Sequence, residues 1–208
     1  MTGDKKCKIC RRAGEKLFLK GEKCFTPKCI FVKKPYPPGK LESEKKHRST
    51  RSEFGSYLIE KQKVRNVYGV GEKQFSNYVK AAKAKKSVNP TETLYNTLEK
   101  RVDNIVFRLG LASSRSLARQ LVSHGHITVN GRRVTIPSYG VSTGDKIGIR
   151  EGSRAIGPFK ELERKLESHK VPSWLKFDMS KKEAEIVGKP ENTEMSFNLN
   201  SVVEFYSR

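Results

Sequence analysis

The 208-residue sequence predicts an α+β fold in two lobes. One is mostly helical and opens on a cysteine-bearing segment. The other is a small inserted module of helices and a short antiparallel sheet. Three observations carry this prediction. Leu94, Leu98, Val102, Ile105, Val106 and Leu109 recur at the spacing of a single helical stripe. Two short β-branched runs flank Asn130-Gly131, a pair suited to the positive φ angles of a two-residue hairpin turn. All four cysteines, and +16 of the net charge of +21, fall before residue 90.

The charge narrows the function classes. Hydrophobic residues make up only 35% of the chain and charged ones 31%. So large and skewed a positive charge repels itself in isolation and favours a polyanionic partner, with nucleic acid the first choice. A membrane surface lacks support, because the basic half has no long apolar face and no lipidation motif. The absence of a long apolar run or apolar leader makes a soluble, cytoplasmic chain the expectation.

Taken in order, residues 1–43 form a basic segment with Cys7, Cys10, Cys24 and Cys29 in the pattern C-x2-C-x13-C-x4-C. In a reducing compartment, two close thiolate pairs are suited to one tetrahedral structural Zn²⁺, ahead of an iron–sulfur cluster or free thiols. The metal would replace a core that so short and charged a segment cannot build. Arg11 and Arg12 follow the first pair, where they offset thiolate charge or reach phosphate. Lys34-Pro-Tyr-Pro-Pro-Gly39 reads as a stiff extended linker. Residues 40–52 are almost without apolar side chains and read as a surface arm.

Residues 44–96 make the helical lobe. Two helical runs extend from Phe54 to about Lys86, broken at Gly69 and Gly71. Tyr68, Phe75 and Tyr78 suit core positions better than base stacking. The stripe from Leu94 predicts one long helix ending at Gly110. Residues 97–152 then form the module. Ser113 or Ser114 caps a helix with Leu117 and Leu121 on one side and Arg115 and Arg119 on the other. His124-Gly125-His126 reads as a turn or an RNA contact, and Ile147 and Ile149 alternate as in a half-buried strand. The two arginine pairs and the turn are expected on one outer surface, suited to gripping phosphates. Residues 153–208 read as a charged helix with pairs such as Glu161–Lys165, followed by strands or packed tail segments at Trp174–Asp178 and Ser201–Tyr206. No nucleophile elbow, phosphate loop or histidine–carboxylate metal set occurs, and Asp103 is best explained as an ion-pair partner.

The stretch RVDNIVFRLGLASSRSLARQLVSHGHITVNGRRVTIPSYGVSTGDKIGI resembles the RNA-binding module named after small-subunit ribosomal protein four. CKICRRAGEKLFLKGEKC, KPYPPG, EKQKVRNVYGVGEKQF, WLKFD and VVEFYSR resemble the parent ribosomal protein family in its bacterial or organellar, cysteine-containing metal-binding form. The resemblance runs from about Lys6 to Arg208. It implies a primary assembly protein that binds the 5′ domain of small-subunit ribosomal RNA at a multi-helix junction and nucleates folding of the subunit body. It also implies contact with ribosomal proteins three and five and with mRNA at its entrance channel, with an influence on decoding accuracy. Repression of its own operon occurs in some members.

No small-molecule substrate or membrane is implied, and the C-terminal tail is expected to pack on the helical lobe. The candidate RNA contacts are Arg11, Arg12, Lys33, Lys34, Tyr36, Arg48, Arg51, Lys61, Lys63, Arg65, Tyr68, Lys73, Arg115, Ser116, Arg119, Gln120, His124, Asn130, Arg132 and Arg133. The alternative is an RNA-modifying enzyme of the pseudouridine synthase type that shares the module. It would need a catalytic Gly-Arg-Leu-Asp stretch, which this sequence does not contain.

Overall fold

The computed structural model describes residues 3–39, 52–85, 88–155, 157–160, 166, 169–190 and 197–207. The chain divides into two compact units, Met1–Thr91 with Met195–Arg208, and Glu92–Glu194. Among the described residues no helix is long and apolar enough to cross a membrane.

The first unit begins with α1 (Gly3–Ala13), a 3₁₀ turn (Gly21–Cys24) and α2 (Ile30–Lys33). Cys10 and Leu17 pack with Val67, and Ile9, Leu19 and Phe31 cover them. The two helical runs expected after residue 53 are α3 (Glu53–Tyr68) and α4 (Glu72–Ala84). Ser52 caps α3 by accepting from the Gly55 amide at 3.2 Å, satisfying one of the donors that a helix start leaves unpaired. Val64, Phe75 and Val79 are fully buried, which settles Phe75 as core.

The second unit begins within the first turn of α5 (Pro90–Glu99) and contains α6 (Val102–Arg108), α7 (Arg115–Ser123), β1 (Ile127–Val129), β2 (Arg132–Val134), β3 (Lys146–Ile149), α8 (Gly157–Lys160), β4 (Leu175–Asp178) and β5 (Glu183–Ile186). The single long helix expected from Leu94 to Leu109 is instead two helices. All six residues of the stripe are fully buried, yet Arg101 between them is extended and bridges Gly140. The Val102 amide donates to Tyr139 O at 2.9 Å, and the Asp103 amide to Pro137 O at 3.2 Å. Tertiary partners thus replace the helical bonds at the break. Arg101, itself buried, donates to Asp103 through Nε at 3.0 Å and Nη2 at 2.7 Å, so Asp103 is the ion-pair partner it was read to be. Apolar spacing carries across the break, so periodicity does not reveal it.

The hairpin forms as expected, with Ile127 opposite Val134 and Val129 opposite Arg132. Asn130 (φ 50°) and Gly131 (φ 76°) supply its two positive-φ turn positions. Among the described residues the sheet is wider than the expected module, with antiparallel order β2-β1-β3-β5-β4. Lys146 stands opposite Glu185, and Ile147 opposite Ala184. Residues 175–186 therefore belong to the sheet unit and not to a tail on the helical unit. The reason is the exposed edge that β3 would otherwise present, which β5 pairs. Ile127, Val129, Ile147, Ile149, Ala184 and Ile186 join Ile105, Val106, Ala118 and Val122 in one core. The rest of the expected helix over 156–170, including the Glu161–Lys165 pair, lies outside the described residues.

The final segment returns to the first unit as α9 (Leu199–Phe205), the tail packed on the helical lobe that was expected, in helical and not strand form. Asn198 caps it, accepting from the Ser201 amide at 3.1 Å. α9 packs on α3, with Leu199 and Val202 buried and Phe205 in ring contact with Phe54 at 5.3 Å. Lys61 is buried beneath this helix, with its Nζ 4.6 Å from the Phe205 ring centre and 2.8 Å from Glu72 Oε1. Glu72 also accepts from Arg65 at 2.8 Å and from the Tyr206 hydroxyl at 2.7 Å. Burial acts to raise the Glu72 carboxyl, but Lys61, Tyr206 and Arg65 outweigh it and hold the group below its ordinary value of 4.5.

A depressed folded pKa contributes stability above the unfolded value and loses it as pH falls through the folded value. Glu72→Gln should therefore lower the urea midpoint at pH 7, by an amount that shrinks as the pH falls through the folded value. An equal loss at every pH would assign the effect to packing instead of charge.

Candidate nucleic-acid interface

The module's outer surface is built on α7. Ser114 starts the helix by accepting from the Leu117 amide at 3.3 Å. Ala118 and Val122 are fully buried and Leu121 nearly so, which fixes the helix's rotation. Ser116, Gln120 and Ser123 then form the exposed line at i, i+4 and i+7, leading to exposed His124. Arg115 and Arg119 flank that line and are half-buried, where sequence spacing placed them squarely opposite the leucines.

Arg115 is held by its own protein. Its Nε donates to Asn104 Oδ1 at 2.8 Å, and its guanidinium lies 4.4 Å over the Phe107 ring. Asn104 in turn donates to Glu99 Oε2 at 2.9 Å. Arg108 grips the same fully buried carboxylate through Nε and Nη2, both at 3.0 Å. A buried carboxylate needs this many donors to remain charged. The sequence did not single out Glu99 or Asn104, because their roles arise only when α5 and α6 meet.

The hairpin divides its arginines. Arg133 pairs across from Thr128, whereas Arg132 pairs across from Val129, whose side chain is buried. Neighbouring strand residues point to opposite faces, so the two arginines do not share one surface as expected. Arg133 turns back on the α7–β1 connection, donating to His124 O at 3.2 Å. Its guanidinium occupies the space a β-carbon at Gly125 would need, and Gly125 has φ 74°. The positive φ favours glycine, and a β-carbon there would also displace the Arg133 guanidinium. Asn130 serves the fold: its amide group donates to Asp145 Oδ1 at 2.8 Å, and its oxygen accepts from the Lys146 amide at 2.9 Å. His126 is tied to Ser153 Oγ at 2.9 Å.

In the first unit the candidates separate sharply. Arg12, Lys33, Lys34 and Lys73 are exposed. Arg11 folds back on the proline linker, donating from Nε to Tyr36 O at 2.8 Å and lying 4.8 Å over the Tyr36 ring. Lys61 and Arg65 are engaged with Glu72, and Lys63 with Glu60 and Glu15 at 2.6 and 3.2 Å. Burial acts to lower the Lys63 ammonium, but the two carboxylates outweigh it and raise its pKa. Tyr68 is buried. Arg48 and Arg51 lie outside the described residues. Exposed Lys8, Lys23 and Lys28 were not singled out by sequence. Their only signal was charge, which cannot distinguish one surface lysine from another.

Cys7, Cys10, Cys24 and Cys29 line one small cavity with Lys6, Leu19, Lys20 and Phe31. Burial pushes the Cys10 thiol up, a hydrogen bond with the Leu17 backbone opposes this, and the other three cysteines add to the rise. Among the described residues no three His, Cys, Asp or Glu side chains are drawn into a ligand cluster.

Comparison with known proteins fits both units. Residues 2–99 match the family model of the ribosomal protein S4/S9 N-terminal domain, and residues 100–147 match the S4 domain. The small ribosomal subunit protein uS4 of Natranaerobius thermophilus is 47% identical over 204 residues, spanning 97% of this chain and 96% of the relative. Those of Halothermothrix orenii and Thermus thermophilus are 45% and 44% identical over the same shares. The module therefore sits inside a ribosomal protein and not inside an RNA-modifying enzyme. From end to end, the chain belongs to the uS4 family of small-subunit ribosomal proteins.

Proposed function

We propose that the protein binds small-subunit ribosomal RNA and acts as a primary assembly protein of the subunit, nucleating its body on the 5′ domain. The observation that carries this reading is electrostatic. Between Asp103 and Asp145 the chain has no carboxylate side chain, while α7 and the hairpin carry Arg115, Arg119, Arg132 and Arg133. Ser116, Gln120 and His124 lie exposed beside them and suit sugar and phosphate oxygens. Arg12, Lys33, Lys34 and Lys73 add phosphate contacts from the first unit. Recognition is then by backbone and junction shape, since A-form RNA hides its base edges in a deep, narrow groove. Contacts with ribosomal proteins three and five, with mRNA at its entrance channel, and a cytoplasmic location belong to the same reading.

Binding to transcribed small-subunit RNA should weaken linearly in log K against log salt, by roughly 0.7–0.9 per phosphate neutralised. Replacing both Arg115 and Arg119 by alanine should lower the affinity and flatten that slope by about one to two. Salt-independent binding would sink the proposal.

Cys7, Cys10, Cys24 and Cys29 would hold one structural zinc ion. The support is chemical: four cysteines line one cavity, and four thiolates are the ligand set of a closed zinc site. When bound, the ion supplies a cross-link between α1 and the turn at Gly21–Cys24. Elemental analysis of purified protein should give about one zinc per chain and no visible chromophore. A brown, iron-bearing sample would assign a cluster instead.

A further inference from the structure

Phe18 and Phe25 form an aromatic pair that the apolar core does not use. Their rings stack with centroids 4.8 Å apart and an interplanar angle of 28°. Phe18 is 45% exposed and Phe25 74% exposed, so Phe25 stands largely in solvent and Phe18 nearly half so. Leaving two phenyl rings this exposed forfeits burial that neighbouring Leu17 obtains at 5% exposure. Phe18 also has φ 49°, a left-handed conformation unusual for a bulky side chain. The surroundings hold that conformation in place: the Gly21 amide donates to Phe18 O at 3.2 Å, and Leu17 is packed against Cys10. The loop thus carries local strain and solvent-exposed rings together, a pairing that points to a binding role.

The surrounding charge identifies the occupant. From Lys16 to Cys29 the chain carries Lys16, Lys20, Lys23 and Lys28 against the single carboxylate of Glu22. Lys23 and Lys28 are exposed. A ligand matching this segment must present both a flat aromatic face and negative charge. An unpaired nucleotide does so, with its base stacking on a ring and its phosphate meeting a lysine. An apolar protein segment would satisfy the rings and leave the lysines unanswered.

We propose that the Phe18–Phe25 pair is a stacking platform for an unpaired base of the bound RNA, with Lys23 and Lys28 receiving the adjoining phosphates. This rests on the RNA-binding reading above and adds base stacking to a mechanism otherwise built on backbone contacts.

The test uses the full chain and transcribed small-subunit RNA at one fixed salt concentration, then across a salt series. Phe25→Ala should weaken binding about tenfold with the salt slope unchanged, because stacking releases no counterions. Phe25→Tyr should bind as the parent does, whereas Phe25→Leu, apolar but without a ring face, should be as weak as the alanine variant. Lys23→Ala should instead flatten the slope. The exposure of Phe25 makes a folding defect unexpected, and unchanged far-ultraviolet circular dichroism and thiol reactivity would confirm intact structure. Parental affinity in Phe25→Ala, or recovery in Phe25→Leu, would overturn the platform while leaving RNA binding in place. Failure of the parent protein to bind the RNA would overturn the underlying reading instead.

Discussion

Replacing Glu99 by leucine is expected to lower the stability of the Glu92–Glu194 unit by about 3–5 kcal/mol, the usual cost of leaving one member of a buried charged network without its partner. Glu99 has no exposed surface, and it accepts from Nε and Nη2 of Arg108 and from the side-chain amide of Asn104. Leucine fills part of the space but answers none of these donors. The effect should extend to RNA. Asn104 holds Arg115 through its other side-chain atom, so release of Asn104 from Glu99 loosens a proposed phosphate contact. Glu99→Gln keeps the shape and one acceptor, and should fall between the parent and leucine variants in both respects. Urea unfolding followed by far-ultraviolet circular dichroism, together with RNA titration, measures both. A stability loss below about 1 kcal/mol would show that the network is solvated in solution.

Removal of Met195–Arg208 is the second large effect. It strips α9 from α3 and exposes the surface that Leu199 and Val202 now cover. At about 1.5–3 kcal/mol for each buried apolar side chain, the loss should be roughly 3–6 kcal/mol. It also removes the Tyr206 hydroxyl from Glu72 and the Phe205 ring from the Lys61 ammonium. Hydrogen exchange should accelerate in α3 and α4 and remain unchanged in β1, β3 and β5, since α9 belongs to the first unit. Equal acceleration in the sheet would contradict the division into two units.

These variants mark where sequence reading succeeds and where it stops. The start of α7 and the hairpin were legible because their causes are local. A serine hydroxyl satisfies amides in its own first turn, and Asn130-Gly131 adopts its own turn angles. The break at Arg101 was not legible, since the groups that compensate it come from residues 137–141. The partnership of β5 with β3 was equally hidden, because an exposed strand edge shows only after the chain has folded. Among the candidate contacts, charge alone could not separate exposed Lys73 from Lys61, which α9 covers. Nor could it show that Arg11 is spent on Tyr36, or that Asn130 is spent on Asp145 and Lys146.

By itself the sequence determined the class of the molecule: a mixed α+β chain with a capped helix and a hairpin, and a charge that calls for a polyanion. These depend on short-range geometry and on summed charge, both additive along a chain. Only the tertiary structure decided which basic groups face solvent, which carboxylate organises Arg115, and which unit each C-terminal segment joins. Those outcomes turn on desolvation and long-range pairing. A side chain's energy then depends on neighbours far away in sequence, and no local pattern records them.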